Sequence, residues 1–434
     1  MSVNTTQMKR FFTFAFFFLL VLATKADDTI TVMHYNLLYY GVNTSFCTNV
    51  NNNIDVKNEQ LKLILDEIKP AIFTVNEMSG IEDIQFGLME NTLNVDGTDY
   101  YQKASLSNQS GSGIVNMLYY DSRKLRLKAQ HTAQSYIRDI DVYELYYYSN
   151  DLEQGDTSFV ICAVAHLKAG NNAADAAKRT TMVENAMSFL EENYADENVL
   201  FMGDFNVYSG SEDAYQTLTN YSNVNIRFID PIDALGAWNN NGSFAGVHTQ
   251  STNSSSNGCA SSGGMDDRFD FILISDELRF GVQSMRYVDD SYKAFGQDGL
   301  HFNSSINAPP ANAAVSAAMA DALQQMSDHL PVVLQLHVNK TLDLFEQQRK
   351  PFLASLNPNP VMNGSTLSFY QGKSGKMSIR LLSLQAKVIH EFQLNAQAGN
   401  NKLKFEIPNL PSGIYLLQLS SENGQSETLK LVKP

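Results

Sequence analysis

Cysteine is scarce in this chain, with three in 434 residues. They lack the spacing of a zinc site and are too few for a disulfide framework. Cys162 lies inside the apolar run Phe159-Val160-Ile161-Cys162-Ala163-Val164 and reads as a core thiol. Cys47 and Cys259 sit in polar loops, free to pair in an oxidising compartment or to stay apart. Tryptophan is all but missing, Trp238 being the only one. Basic residues are outnumbered, 31 Lys and Arg against 46 Asp and Glu, for a net charge of −15 without any basic run or tail. That disfavours a protein that coats nucleic acid through general electrostatics and leaves room for a few local phosphate contacts. Beyond the first thirty or so residues no stretch reaches the roughly 18 to 20 apolar residues that span a bilayer. The one apolar run, Phe11 to Ala23, follows Lys9-Arg10 and precedes Thr24-Lys25-Ala26 and Asp27-Asp28. A charged start, a short apolar core and small residues at a cleavage site make residues 1–26 a signal peptide, so the mature protein is expected to be soluble and exported.

What is present is a series of apolar strands, each ending on polar side chains. Val199-Leu200-Phe201-Met202-Gly203-Asp204-Phe205-Asn206 is the most telling. Its apolar half reads as a strand buried on both faces, and alternation puts Asp204 and Asn206 together while Phe205 turns away. The run Thr29 to Leu37 carries Asn36 near its end, Ala71 to Glu77 ends on Glu77, and Phe159 to His166 ends on His166. Asp267 to Ile274 carries Asp270, and Asp328-His329-Leu330-Pro331 precedes Val332 to Leu336. Pro331 pushes Leu330 towards extended geometry, which places Asp328 and His329 on a turn before that strand. Further strands are expected over 113–120 and 142–148. Helices are expected from Asp55 to Lys69, stopped by Pro70, from Ala173 to Asn193, and from Ala311 to Met326. The Asn-, Ser- and Gly-rich stretch 239–264 has too little apolar area to hold one conformation and reads as a long mobile loop. After about residue 340 the texture changes to short strands between Gly, Ser and Asn turns, a small β-sandwich.

Each polar strand end has an ordinary reading as a cap or a solvated terminus, but their number and order are those of a family. The Asn36 strand, Val75-Asn76-Glu77, Ala165-His166-Leu167, Gly203-Asp204-Phe205-Asn206, Arg268-Phe269-Asp270 and Ser327-Asp328-His329-Leu330-Pro331-Val332 resemble the endonuclease/exonuclease/phosphatase superfamily, the metal-dependent phosphoesterases built like deoxyribonuclease I. The resemblance implies an α/β protein, a four-layer α/β sandwich with a cleft at the strand ends, over residues 27–340. It also implies Mg²⁺, with Mn²⁺ or Ca²⁺ as substitutes, held by Glu77 with Asn36 and Asp328. Asp204 and Asn206 would position the attacking water, and His329 oriented by Asp270 would be a general base or a cationic clamp. His166 would hold a second phosphate oxygen, and Arg138 matches a phosphate-contacting arginine. The glutamate that buttresses the mid-chain histidine in some members has no counterpart in 100–113.

Residues 355–434 resemble a second family, the C-terminal sorting domain of type IX secretion cargo, through Asn357-Pro358-Asn359-Pro360, Gly413-Ile414-Tyr415 and Lys430-Leu431-Val432-Lys433. This implies a partner in the type IX secretion machinery and a secreted or cell-surface location reached through the periplasm. Residues 341–354 would be a linker. Because one fold and one set of motifs serve several leaving groups, a secreted endonuclease acting on DNA or RNA heads the expectation. A sphingomyelinase-like or phosphoinositide phosphoesterase is the alternative, for which Trp238 beside a loop would touch the membrane. A non-catalytic surface binding module stands behind both.

Overall fold

A computed structural model describes residues 28–148, 157–232 and 234–338, together with 352–433 apart from 353, 358, 362–364, 372–373, 384–386, 405–409 and 423–425. The expected signal peptide and most of the expected linker lie outside the described residues.

In chain order the first part of the protein runs β1 (Asp28–Tyr40), α1 (Ile54–Ile68), β2 (Ile72–Ser79), α2 (Glu82–Leu88), β3 (Tyr101–Lys103), β4 (Ile114–Asp121), β5 (Leu125–Gln134), β6 (Ile140–Tyr147) and β7 (Phe159–His166). It continues through α3 (Ala173–Tyr194), β8 (Val199–Asp204), α4 (Asp213–Thr219), β9 (Phe228–Ile229), β10 (Asp270–Ser275), α5 (Asp276–Phe280), β11 (Met285–Tyr287), β12 (Lys293–Ala294), α6 (Ala317–Met326) and β13 (Val332–Val338). One sheet has the order β11-β13-β1-β2-β4-β3, with β12 also on β13, and the other β5-β6-β7-β8-β10-β9. Both are mixed: β1 pairs with β2 in parallel and with β13 antiparallel, and β7 pairs with β8 in parallel while β8 and β10 run antiparallel.

Strand alternation explains how the layers stack. Val160, Cys162 and Val164 of β7, Leu200 and Met202 of β8, and Ile272 and Ile274 of β10 share one core with the β1–β2–β13 sheet. Their neighbours Ile161, Ala163 and Ala165, Val199 and Phe201, and Phe271 and Leu273 pack instead with α3 and α4. Successive side chains on a strand face opposite sides, so the even-numbered residues of these three strands lie between the sheets and the odd-numbered ones lie under the helices. With α1 and α6 against the other sheet, the result is helix, sheet, sheet, helix: the four-layer α/β sandwich of deoxyribonuclease I type. The parity carries through to the strand ends, where His166, Asp204 and Asp270 belong to the set between the sheets.

Helix ends follow their local chemistry. Asn53, rather than the expected Asp55, caps α1 by accepting from the Asp55 and Val56 amides, and left-handed Lys69 closes it before Pro70. Helix α6 starts six residues later than expected, where the Ser316 side chain accepts from Met319 N–H.

The stretch 239–264 departs from expectation: it is ordered. A 3₁₀ turn spans Gly242–Val247, Thr249 N–H donates to Asp267 O at 2.7 Å, and Cys47 and Cys259 form a disulfide. Side-chain amides and hydroxyls bonded to nearby backbone, together with one covalent tie, hold this segment where apolar burial is not available. Trp238 is fully buried beneath it, packed on Tyr215 and Phe271 with its indole N–H on Ala234 O at 2.7 Å. It is a core residue, and the suggestion that it touches a membrane falls.

The carboxy-terminal part is all β, with its own core around Phe369, Met377, Ile379, Leu417, Leu419 and Leu431. Its strands form a three-stranded and a four-stranded sheet, as a small β-sandwich requires.

Candidate active site

The parallel strands β1, β2, β7 and β8 all end at one edge of the sandwich, and the antiparallel β10 begins there, with Asp270 paired opposite Asp204. Gly203 makes the approach of β7 and β8 possible, since a Cβ at that position would lie 1.8 Å from Ala165 O. Asn36 bridges the two sheets. Its amide nitrogen donates to Glu77 Oε1 at 3.1 Å and Asp204 Oδ2 at 3.0 Å, while its oxygen accepts from Leu38 N–H at 3.0 Å. Glu77 lies in the irregularity of the pairing of β1 with β2, between Asn76 and Met78, and has φ 57°. Its other oxygen accepts from Tyr39 N–H at 3.1 Å. Non-glycine residues in the left-handed region are uncommon and persist where the surroundings hold them.

His166 Nε2 lies 3.7 Å from Glu77 Oε1 and 3.5 Å from Asp204 Oδ2, so the three side chains form one nearly buried cluster. Asp204 Oδ1 is taken up by the Asn206 backbone and side-chain N–H groups at 3.0 and 2.8 Å; left-handed Asn206 folds its amide back onto Asp204. On the other side of Asn36 stands His329. Its Nδ1 is 2.7 Å from Asp270 Oδ2, and its Nε2 is 2.7 Å from the Gln250 amide nitrogen, 3.9 Å from Asp204 Oδ2 and 4.0 Å from Asp328 Oδ1; beside a protonated ring the Gln250 amide turns over to offer its oxygen. Asp328 Oδ2 accepts from Ser261 N–H at 2.7 Å. Arg138, from the turn before β6, donates to Leu167 O at 2.8 Å and stands near enough to Glu77 and His166 to act on both electrostatically. All nine residues expected at the site therefore lie around this one mouth.

Charge is unevenly supplied. Burial raises the carboxyls of Glu77 and Asp204, the latter to about 7. Burial also pulls the His166 imidazole well below its ordinary value, helped by the positive Arg138 and His329. His329 goes the other way: burial would lower it, but Asp270, through charge and hydrogen bond, with Asp204 and Asp328, holds it well above the ordinary range. The two histidines are thus pushed in opposite directions, His166 towards the neutral ring with a lone pair for an acid or an ion and His329 towards the imidazolium.

The donor set fits a hard divalent cation. Glu77, His166 and Asp204 each offer an atom within 4.8 Å of the others, and Asp328 Oδ1 is buried without a hydrogen-bond partner. Carboxylate oxygens held close together against desolvation gain from such a counter-charge. Asn36, as placed here, clamps the two carboxylates through its nitrogen.

Sequence reasoning missed several contributors. Asn76 accepts from Asp204 N–H at 2.9 Å and donates to Asn116 at 2.7 Å, and Asn116 reaches Asp141 at 3.0 Å, so a buried polar chain backs Asp204. His34, two residues before Asn36 on the same face, is buried with Nδ1 3.0 Å from Thr74 Oγ1. Strand alternation alone would have flagged it. Gln250 carried no such signal, being brought to His329 by the ordered loop. Lys57, buried, donates to Leu37 O, Leu38 O and Asn52 Oδ1 at 2.7, 2.6 and 2.7 Å and fixes the turn behind Asn36.

Comparison with known proteins bears on each half of the chain. Residues 355–434 match the family model of the secretion system C-terminal sorting domain. A tail of this kind marks a chain for export to the cell surface or the medium, and among the described residues no helix is long and apolar enough to cross a membrane. No curated protein matches the sequence. Among solved structures, the endonuclease/exonuclease/phosphatase from Bacteroides vulgatus is 12% identical, with 72% of this chain and 99% of that one covered at a TM-score of 0.46. The endonuclease/exonuclease/phosphatase from Beutenbergia cavernae is 13% identical, with 93% and 100% covered at 0.42. D. rerio TDP2 complexed with a single-strand DNA product is 13% identical, with 71% and 99% covered at 0.45.

Proposed function

We propose that this chain is an exported, metal-dependent phosphodiester hydrolase, an endonuclease acting on DNA or RNA. The observation that carries the reading is the convergence of Glu77, His166 and Asp204 on one side of Asn36 with the Asp270–His329 pair on the other. A cation held on the first side and the His329 ring on the second would then both reach one phosphate. Glu77, with His166 and Asp328 Oδ1 at hand, would hold Mg²⁺, Mn²⁺ or Ca²⁺ beside Asp204. When bound, such an ion supplies Lewis-acid polarisation of a phosphoryl oxygen and charge stabilisation for the leaving oxygen.

The remaining work falls to this chain's own groups. His329, kept protonated by Asp270, donates from Nε2 to a non-bridging phosphoryl oxygen, where negative charge grows in the transition state. Asp204, whose carboxyl is held near neutrality, accepts the proton of the attacking water, and Asn206 fixes the carboxylate for that task. Arg138 adds a second positive charge on the phosphate side. Export would begin with removal of residues 1–26 and use the type IX machinery, which mass spectrometry of secreted material would read as an amino terminus near Asp27.

The test is incubation of the mature protein with plasmid DNA, RNA, sphingomyelin vesicles and a phosphoinositide, each with and without Mg²⁺. Metal-dependent nicking of nucleic acid is the expected result. Turnover confined to a lipid, or none with any divalent ion, would overturn the reading. With Trp238 in the core, the lipid reading loses the residue that favoured it.

A further inference from the structure

The turn that follows Asn36 is built at some cost. Leu38 and Tyr39 both have left-handed backbone, with φ of 45° and 47°. Lys57 and Asn52 hold it, the Asn52 amide donating to Leu38 O and Tyr39 O at 3.1 and 3.0 Å. The consequence is that Tyr39 N–H meets Glu77 Oε2 at 3.1 Å, which sets the half-buried Tyr39 ring directly beside the acidic cluster. Phe46 stands against it edge to face, with centroids 5.3 Å apart and an interplanar angle of 88°.

Phe46 is 46% exposed, yet it is not on a loose segment. Its N–H donates to Thr44 Oγ1 at 3.1 Å, its carbonyl accepts from the Asn51 amide at 2.8 Å, and the next residue is pinned by the Cys47–Cys259 disulfide. A single exposed aromatic needs no explanation. An aromatic pair locked in place, one ring bonded through its backbone to a candidate metal ligand and the other presented to water, does. We infer that Phe46, braced edge to face against Tyr39, is a stacking surface for a planar base next to the scissile phosphodiester; the inference rests on the nucleic-acid phosphodiesterase reading above. Aromatic side chains accept any base because every base has a π-face, and rigid rings lose little entropy on contact.

The rival occupant is a lipid. Val50, on the same loop, is 95% exposed and with Phe46 would make an apolar tip. Apart from Val42, Phe46, Cys47 and Val50 the stretch from Gly41 to Asn53 is Gly, Asn, Thr and Ser, so the apolar area such a tip could bury in a lipid surface is small, whereas one ring face is enough for a base. The observations favour the base.

The experiment compares thymidine 5′-(4-nitrophenyl phosphate) with methyl 4-nitrophenyl phosphate, which shares the reacting bond and lacks the base. Both are measured in Mg²⁺ on the full chain and on Phe46→Ala and Phe46→Trp. The ratio of kcat/KM between the two substrates is expected to fall about tenfold in Phe46→Ala and to return in Phe46→Trp. Calorimetry of thymidine monophosphate against methyl phosphate supplies the same ratio without turnover. If the wild type cleaves neither diester, the calorimetric ratio alone decides the platform, and the hydrolase reading stands or falls on plasmid DNA and RNA. A ratio unmoved by Phe46→Ala in the available assay overturns the inference. So does co-sedimentation with phosphatidylcholine–sphingomyelin vesicles that is lost in Phe46→Ala, which would assign the ring to lipid.

Discussion

The Asp270 carboxylate meets His329 Nδ1 at 2.7 Å, and that bond joins the start of β10 in one sheet to the turn before β13 in the other. It fixes the imidazole's orientation and supports its positive charge. His329→Ala is expected to lower kcat by about 10²- to 10⁴-fold, since a positioned proton donor or acceptor contributes in that range. Asp270→Asn should cost less, because the ring stays. The double variant should lose about as much as His329→Ala alone, Asp270 acting through the histidine. Steady-state kinetics on any diester the protein cuts would read this, and additive losses would show that the two act separately.

Glu77→Gln keeps the shape of the side chain, can still accept from Asn36 or from Tyr39 N–H but not from both, and removes the charge that would hold an ion. Mg²⁺-dependent activity should disappear while the thermal transition stays in place. Calorimetric titration of Mn²⁺ provides a readout independent of turnover, and unchanged binding would remove Glu77 from the ligand set.

Gly203 has φ 150°, and a Cβ there would lie 1.8 Å from Ala165 O. Relief requires moving β7 from β8, the two strands that present His166 and Asp204. Gly203→Ala should therefore destabilise the fold by about 3 kcal/mol or more, at or above the usual cost of overpacking, as read by denaturant unfolding.

The Cys47–Cys259 disulfide spans a sequence separation of 212 residues and ties the loop carrying Phe46 to the one whose Ser261 N–H bonds Asp328. Its loss is expected to cost about 2–5 kcal/mol. Unfolding of the wild type with and without reductant, against Cys47→Ser/Cys259→Ser, would measure it, and a reductant effect that survives in the double variant would point elsewhere.

Burial lowers His34 from 6.5 to about 4. Between those values the unfolded chain binds a proton that the folded chain does not, so stability rises with pH through this window and is lost as pH falls through it, by up to about 3 kcal/mol from this group. Buried carboxyls such as Asp204 and Asp141, raised to about 7, act with the opposite sign in this window. The readout is therefore the difference in urea midpoint between wild type and His34→Gln, which should shrink or change sign in favour of the variant as pH falls from 7 to 4.

Much of this arrangement was legible in the chain itself. A buried strand advertises itself by an apolar run, and alternation carries polar residues at its end to a known face, which is why Glu77, His166, Asp204, Asp270 and His329 could be named before their contacts were known. The small carboxy-terminal β-sandwich was equally plain, because short strands between Gly, Ser and Asn turns leave a local imprint, while its reading as a sorting tail came from the resemblance of Asn357-Pro358-Asn359-Pro360, Gly413-Ile414-Tyr415 and Lys430-Leu431-Val432-Lys433. Strand β5 was missed: with Arg126, Lys128, Gln130 and Thr132 mostly half-exposed at the edge of its sheet, it has no apolar run to betray it.

Only the tertiary structure decided what depends on residues far apart in sequence. Asn36 clamps Glu77 and Asp204, which lie 41 and 168 positions away; Gln250 reaches His329 from a segment whose composition argued for disorder; Trp238 goes inside. The protonation of the two histidines is the clearest case. Both follow or precede apolar strands and look alike in sequence, yet His166 is pushed down by burial beside Arg138 while His329 is held up by Asp270. A side chain's type is local information, but its charge state is set by the field of neighbours that folding brings within a few ångströms.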